Sequence, residues 1–392
     1  MRKLATAATA FCAAIFAANY ILPLGRLTTL AVIAAVLGAA LAASRKMRLR
    51  QAALALVFLA LGLFYYSAYN ERTAAQAQLH SGETAVVGGH VLTYPVDYGT
   101  YCRTEIKLDC DGLPKLKAIV YADEGLMDAE PGDYISFTGK INAADTLFGE
   151  SYDNYHAKGI FFKISAKSAV SVENTGFDLR SVSARLSRFL SERVEKIFPA
   201  DTAVFMKSLM LGDKSDFYND DALYCAMSRA GFMHIVAVSG MHVSFLVGLL
   251  QFILGRGRRS AVICIALVWL FVLVTGASPS AVRAGFMQSM LLMAPVLRRE
   301  NDAVTSLSAI LALILLSNPY AAASISLQLS FGAMAGIICF SGKLFEAAMN
   351  KLPERMKCRP VRYVLASVTM SAGVTVFTLP VTALHFGYVS LL

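Results

Sequence analysis

Long apolar stretches, each bounded by charged residues or by proline and glycine, occupy both ends of this chain of 392 residues. A helix rises about 1.5 Å per residue, so roughly 20 mostly apolar residues cross the ~30 Å hydrocarbon layer of a membrane. The pattern therefore predicts nine membrane-spanning helices. They lie at 4–22, 27–43, 51–69, 233–254, 261–276, 281–297, 303–318, 321–341 and 363–384.

A polar insert, residues 70–232, separates the two apolar blocks. Its first part contains short runs rich in β-branched and aromatic residues, separated by turn-forming groups at 95–99, 111–114 and 131–132. The runs are 84–93, 100–109, 115–122, 133–141 and 159–172. Five short strands within about 90 residues predict a small closed β-barrel, such as an OB-like fold.

A basic amphipathic helix is predicted after the barrel. Apolar residues recur there at helical spacing, and five basic residues lie elsewhere around the helix. The apolar positions are Leu179, Val182, Leu186, Phe189, Leu190, Val194 and Ile197. Two placements stay open, one on the outer membrane surface or pore rim and one packed on the barrel.

These patterns predict a polytopic α-helical membrane protein with an inserted extracytoplasmic β domain. Four parts follow along the chain. They are N-terminal membrane helices at 1–70, an OB-like domain at 71–175, an amphipathic helical connector at 176–232 and a membrane channel domain at 233–392.

The charge pattern predicts the topology of the chain. Hydrophobic residues make up 56% of the sequence and charged residues 16%, which is unusual for a soluble globular protein. The short loops that share one side, if every segment crosses, hold 17 basic and four acidic residues. Because cytoplasmic loops carry the excess of Lys and Arg, the N-terminus is expected in the cytoplasm and residues 70–232 outside it. The net charge of +9 thus reflects topology rather than a nucleic-acid-binding surface.

Charge and aromatic content give opposing indications for the barrel. Residues 80–173 hold 14 acidic and eight basic residues, which would repel a phosphate backbone. The same region supplies tyrosines on which single-stranded bases could stack. They are Tyr94, Tyr98, Tyr101, Tyr121, Tyr134, Tyr152 and Tyr155. Direct DNA binding and a structural or partner-docking role both stay open.

Two of the seven cysteines, Cys102 and Cys110, flank a predicted strand of the external insert. Disulfides persist in such an oxidising compartment, and we predict a bridge between the two residues. The alternative is a pair of thiols.

Polar side chains occur within the fourth apolar segment. His234, Ser239 and His242 lie in it, and Gly240 lowers the cost of a helix break. Ionisable groups at membrane depth are costly, so each is a candidate for an aqueous path. Hydrogen bonding to neighbouring helices is the alternative.

The later segments add four more such residues. Arg283 and Gln288 share one predicted helix, Gln328 lies deeper in another, and His385 follows the break at Pro380. Broken, polar helices at membrane depth are tolerated where they are buried in protein or face a cavity. A pore entrance and snorkelling to the surface both remain open for Arg283.

The motif at 234–242, His-Ile-Val-Ala-Val-Ser-Gly-Met-His, closely resembles the signature of the ComEC competence proteins. Stretches at 283–287, 327–331 and 379–387 resemble later motifs of that family in the expected order. The stretch at 152–160 is similar to the end of its OB-like domain. Together these motifs extend the resemblance over essentially the whole chain.

The resemblance implies a channel in the bacterial inner membrane that admits single-stranded DNA during natural transformation. Positions matching the family's polar membrane motifs are His234, Ser239, His242, Arg283 and Gln328, and we add Gly240, Gln288 and His385 to the candidate path. Implied partners are the lipid bilayer, an external DNA receptor and a cytosolic motor protein. The motor is needed because the chain has no phosphate-binding loop of its own. Homo-oligomerisation stays open.

One departure from the family concerns catalysis. Many members carry a C-terminal metallo-β-lactamase-like domain, but no His-x-His-x-Asp-His cluster occurs among the six histidines here. We therefore expect no catalytic residue, metal, cofactor or nuclease activity in this chain, and the abrupt end predicts a fragment. Two alternatives are a small-solute transporter and an intramembrane hydrolase that uses Ser239 with His242 or His385 as base.

Overall fold

The computed structural model describes residues 3–44, 46–110, 112–122, 125–147, 150–151, 154–174, 182–212, 217, 221–229, 240–297, 302–353 and 358–386. The chain divides into two compact units, each discontinuous in sequence. Unit 1 comprises Met1–Asn70, Asp153–Gly159 and Asp302–Leu392, and unit 2 comprises Glu71–Tyr152 and Ile160–Asn301. The four predicted domains stay a prediction.

The helices of the described residues follow the apolar pattern closely. In chain order they are α1 Lys3–Tyr20, α2 Leu27–Ala42, α3 Met47–Arg72, α4 Ala74–Leu79, α5 Asn154–Ala157, α6 Val182–Ile197, α7 Ala200–Leu211, α8 Asp221–Arg229, α9 Gly240–Leu254, α10 Arg258–Val274, α11 Pro279–Leu297, α12 Ala303–Ser317, α13 Ile325–Gly336, α14 Gly342–Lys351 and α15 Arg359–Phe386. Short 3-10 turns lie at Leu24–Arg26 and Pro319–Ala323, and a π-helical turn at Ile337–Ser341 joins α13 to α14.

All nine predicted apolar segments overlap helices of the described chain, but their lengths differ. Four stretches are long and apolar enough to cross a membrane, namely Leu24–Ala42, Met47–Leu79, Ile325–Lys351 and Arg359–His385. Other apolar helices, such as Gly240–Leu254 and Ala303–Ser317, are shorter. A helix of 15 residues spans only about 23 Å. Nine crossings therefore stay a prediction. The four long apolar helices fit a membrane protein.

In unit 1, glycines let helices approach with their backbones in contact. A Cβ atom at Gly336 of α13 would overlap the carbonyl oxygen of Gly373 of α15. In the same way, a Cβ at Gly62 of α3 would lie 2.8 Å from the carbonyl oxygen of Phe11 of α1. Small residues at such crossings are typical of membrane helices, because packing rather than the hydrophobic effect drives their association.

The β domain of unit 2 is a closed five-stranded barrel, as predicted. Its ring order is β1–β3–β4–β8–β5, closed by pairing of β5 with β1. The ring strands are β1 Thr84–Val91, β3 Cys102–Leu108, β4 Lys117–Ala122, β5 Tyr134–Ala143 and β8 Ile160–Ala166. Pairing is antiparallel except between β4 and β8. Short strands β2 Val96–Asp97 and β9 Ser171–Glu173 extend this sheet, and β6 Thr146–Leu147 pairs with β7 Glu150–Ser151 in a separate two-stranded sheet.

Alternating side chains along the barrel strands form one core. Every second residue of β3 is buried, and β5 shows the same alternation. This period of two places one face inward on each strand. Fully buried isoleucines fill the interior. They are Ile106, Ile119, Ile135, Ile141 and Ile164.

The connector helix α6 packs on the barrel along one face. The Arg188 guanidinium lies 4.5 Å from the ring centroid of Tyr94, and Arg185 donates to the carbonyl of Pro131 at 3.5 Å. Its C-terminal half packs on α7, where the ammonium of Lys207 donates to Glu195 at 2.5 Å. The predicted amphipathic helix is confirmed, and for this face the barrel-packing alternative holds.

Cys102 is the first residue of strand β3, and Cys110 lies two residues beyond the end of the strand. Neither takes part in a disulfide. An extended strand from Cys102 to Leu108 is about 20 Å long. A bridge requires Cα atoms within about 7 Å. The structure therefore does not support the predicted bridge, because a straight strand holds the two residues apart.

Candidate functional site

The candidate path residues fall into two groups, one in each unit. Gln328 and His385 belong to unit 1. Gly240, His242, Arg283 and Gln288 belong to unit 2. His234 and Ser239 lie outside the described residues.

In unit 1, Gln328 is the centre of a hydrogen-bonded cluster. It lies in the first turn of α13, which Ser324 caps by accepting a hydrogen bond from the amide of Leu327. The Gln328 Nε2 group donates to the Tyr20 hydroxyl at 2.5 Å and to the Ala322 carbonyl at 2.8 Å. Its Oε1 atom lies 3.3 Å from His385 Nε2. One amide thus links α1, the turn Pro319–Ala323 and α15.

This arrangement uses the whole hydrogen-bonding capacity of the Gln328 amide nitrogen. Both amide hydrogens are directed at protein acceptors, as the interhelical alternative requires. The outer members of the cluster differ from Gln328, because Tyr20 is 52% exposed and His385 is also exposed. A phenol and an imidazole therefore remain accessible to a polar molecule beside an amide that is fixed by the helices.

A second cluster in unit 1 was not predicted from the sequence. The Tyr66 hydroxyl donates to Asn19 at 3.0 Å, and the Tyr320 hydroxyl donates to Asn70 at 2.5 Å. The rings of Tyr66 and Tyr320 lie 5.4 Å apart. No periodicity marks these residues, since each is a single polar group in an otherwise apolar stretch.

Helix α5 completes this second cluster, and it belongs to unit 1 although the strands around it belong to unit 2. Asn318 Nδ2 donates to the carbonyls of His156 at 2.8 Å and of Ala157 at 3.1 Å. The His156 ring lies 5.2 Å from that of Tyr320. Gly159 ends this turn with a φ of 76°, a conformation that favours glycine.

In unit 2, the candidate residues lie on a three-helix packing of α9, α10 and α11. Gln288 Nε2 donates to the Ser244 hydroxyl at 2.6 Å, which joins α11 to α9. Gly240 lies at the start of α9, where an added Cβ would make ordinary contact with Ala284 at 3.8 Å. His242 is half-buried. Trp269 donates to Ser289 at 3.2 Å and joins α10 to α11.

Arg283 is buried in unit 2, with only 7% of the residue exposed. It lies one turn into α11, directly after a turn in which Gly276 and Ala277 both have positive φ. Snorkelling would leave the guanidinium on the outside of the protein. The side chain of Arg283 is instead buried, so a cation lies within the helical part of unit 2.

The tyrosines of the barrel do not form one surface. Tyr98 and Tyr101 stack with centroids 5.2 Å apart, and Tyr121 meets Tyr101 edge-on at 5.5 Å. Tyr94 is covered by the guanidinium of Arg188. Tyr134 packs on His90, Tyr155 is buried in unit 1, and Tyr152 lies outside the described residues.

Charges near the stacked tyrosines are mixed. Arg103 of β3 pairs in register with Tyr121 of β4. Burial lowers the pKa of Lys163, Asp145 acts in the opposite direction, and Arg103 lowers it further. The stacked pair therefore has basic neighbours on a domain that is acidic overall. No group of His, Cys, Asp and Glu among the described residues is arranged to hold a metal ion.

Comparison with known proteins relates this chain to competence proteins. Residues 209–392 match the family model described as competence protein. The chain is also similar to ComE operon protein 3 of Bacillus subtilis (strain 168), with 26% identity over 240 residues. That match covers 58% of this chain and 30% of the relative, so it spans less than a third of the relative's length. No solved structure matches the chain.

Proposed function

We propose that this chain, a ComEC-type competence protein, takes part in DNA uptake by forming a membrane channel for single-stranded DNA. The strand would cross the inner membrane during natural transformation. The observation that carries the proposal is the cluster around Gln328 in unit 1. An amide that is fixed between helices lies there beside an exposed phenol and an exposed imidazole, on helices that are otherwise apolar. Polar groups at membrane depth are costly, so their presence marks a candidate functional site.

The buried Arg283 of unit 2 supports the same function. A guanidinium binds phosphate through two parallel hydrogen bonds. Gln288 lies on the same helix and is already fixed by Ser244. In this proposal Arg283 attracts the DNA backbone, Gln288 holds α11 against α9, and His242 and Gly240 line the start of α9. His234 and Ser239 would extend this group.

The proposed topology has the N-terminus in the cytoplasm and several membrane passages. Arg256, Arg258 and Arg259 lie at the start of α10, and Lys343 and Lys351 lie at the two ends of α14. Under the positive-inside rule these ends face the cytoplasm, and the barrel then lies outside. An external DNA receptor would deliver the strand, and a cytosolic motor would drive it.

We propose that the barrel is OB-like. Its first ring strand pairs with the second and the fourth, and the third pairs in parallel with the fifth. A five-stranded Greek-key barrel of this kind supports the assignment. We propose a non-enzymatic role for the chain as a whole, in which the barrel shapes the outer entrance.

Replacing Gln328 by leucine tests the proposed channel. The Gln328→Leu variant removes the hydrogen bonds to Tyr20, Ala322 and His385 but keeps an apolar helix. Transformation frequency and entry of labelled DNA into the cytoplasm should fall about tenfold or more, since a lost hydrogen bond costs about 1 kcal/mol and a loss of about 1.4 kcal/mol corresponds to tenfold. Protein abundance in the membrane fraction should stay unchanged.

The matched control is Thr375→Val on α15. Its hydroxyl bonds only within the helix, to the carbonyl of Ser371, and the residue is exposed. This variant should transform normally. Normal DNA entry in Gln328→Leu at equal abundance would overturn the proposed role of the cluster.

A further inference from the structure

Helix α6 has a second face, which the barrel and α7 leave uncovered. Four residues at i, i+4, i+7 and i+8 lie on it within one third of the helix circumference. They are Phe189, Arg193, Lys196 and Ile197. We call these four residues the outer strip.

The outer strip combines exposed apolar surface with positive charge. Phe189 is 51% exposed and Ile197 is 73% exposed. The Arg193 guanidinium lies 5.0 Å from the centroid of the Phe189 ring, so cation and aromatic ring share one surface. Large exposed side chains next to cations are typical of helices that lie in a membrane interface.

Neighbouring acidic residues do not cancel this charge, because they are engaged elsewhere. Glu192 lies 3.6 Å from Arg188, on the side of the helix that meets the barrel. Glu195 accepts a hydrogen bond from Lys207 of α7. The strip itself contains two cations and no acid.

The start of α6 is fixed to the end of an apolar helix in the same unit. Ser183 Oγ donates to the carbonyl of Leu273 at 2.8 Å, in the last turn of α10. The basic residues Arg258 and Arg259 lie at the opposite end of α10. Hence α6 begins at the end of α10 that is remote from its basic turn. In the topology proposed above, that end of α10 lies at the outer membrane interface.

We propose that the outer strip binds the surface of a bilayer that contains anionic phospholipid. Phe189 and Ile197 enter the boundary between headgroups and acyl chains, and Arg193 and Lys196 contact lipid phosphates. Positive charge on the strip fits anionic headgroups, and the bond to α10 begins the helix at a membrane end. This inference concerns the setting of the barrel and does not depend on the conduction of DNA.

Tryptophan fluorescence of the full chain in vesicles tests the proposal. Phe189→Trp and Ile197→Trp each report on the strip, and Tyr98→Trp on the barrel surface is the control because Tyr98 is 49% exposed. The signal of the chain's one native tryptophan, Trp269, is subtracted with the unsubstituted protein. Vesicles are made of phosphatidylcholine, with or without phosphatidylglycerol, and carry brominated acyl chains as quenchers.

Both strip variants should be quenched roughly twofold or more above the control, and more strongly with phosphatidylglycerol than without it. Adding Arg193→Glu and Lys196→Glu to Phe189→Trp should remove the dependence on phosphatidylglycerol. Quenching at the level of Tyr98→Trp in both strip variants would overturn the proposal. Quenching that is equal in the two lipid compositions would also overturn it, because the cations would then have no role.

Discussion

The amide of Gln328 donates a hydrogen bond to the hydroxyl of Tyr20 at 2.5 Å, although 308 positions separate the two residues along the chain. This contact joins the C-terminal end of α1 to the first turn of α13 inside unit 1. A polar bond between the first helix and a late one means that the N-terminal helices take part in the candidate site. The matching family model covers only residues 209–392, so Tyr20 contributes to the site from a part of the chain that the model does not cover.

Removing the Tyr20 hydroxyl should weaken the same site. In Tyr20→Phe, Gln328 keeps its bond to Ala322 and loses one acceptor, so we expect a smaller loss of DNA entry than in Gln328→Leu. The double variant should be no worse than Gln328→Leu alone, because groups that act together are not additive. Transformation frequency at matched abundance measures this, and an additive loss in the double variant would show that the two residues act separately.

Gly336 should tolerate no side chain. Its Cβ position overlaps the carbonyl of Gly373, so Gly336→Ala must push α13 and α15 apart and should cost about 1–3 kcal/mol. The steady-state amount of protein and its thermal stability in detergent are the measurements.

Gly332, one turn earlier on the same helix, supplies the matched control. A Cβ there would lie 3.5 Å from the carbonyl of Phe377, an ordinary contact, so Gly332→Ala should be stable. Equal behaviour of the two variants would contradict the close approach of these helices.

Asn318→Ala should loosen the segment around α5. Its side chain holds the carbonyls of His156 and Ala157, and without it Lys158, which is exposed, should be cleaved several-fold faster by trypsin. Mass spectrometry of limited digests of the membrane-embedded protein measures the rate. Ser317→Ala is the control, since Ser317 bonds only to Ile314 of its own helix, and it should leave the rate unchanged.

Cys102 and Cys110 should both be alkylated without reductant once the protein is denatured. Strand β3 separates them, since it begins at Cys102 and ends two residues before Cys110, so each should carry its own adduct in peptide mass spectrometry. Before denaturation, Cys102 should react more slowly, because it is only 6% exposed. A peptide pair linked through sulfur would show that the strand rearranges.

The sequence predicts elements better than it predicts contacts. Runs rich in β-branched and aromatic residues between turn-forming groups identified β3 and β5 to within two residues, and the structure buries every second residue of both strands because a barrel strand has one inward face. Apolar runs likewise identified the helices. Their lengths were less certain, because a run ends where composition changes, whereas a helix such as α3 continues into polar residues up to Arg72.

Sequence patterns do not predict the hydrogen-bond partners of the polar residues. Nothing local connects Gln328 to Tyr20 or Asn318 to His156, since such pairs are made by tertiary packing. The burial of Arg283 could not be predicted either, because a cation near a helix end is expected to reach water. The prediction of a bridge between Cys102 and Cys110 failed for a simpler reason, because the six strand residues at 103–108 separate the two cysteines by a distance too long for a bridge.

The bond between Asn318 and the turn at His156 has a consequence for biosynthesis. These residues are 162 positions apart, and a ribosome adds roughly 5–20 residues per second. The turn therefore waits for about 10–30 s after it is made before its partner emerges. During that interval the barrel strands on either side can already pair. The segment around α5 therefore lacks its hydrogen bonds to Asn318 until the ribosome has translated α12 and the residue that follows it.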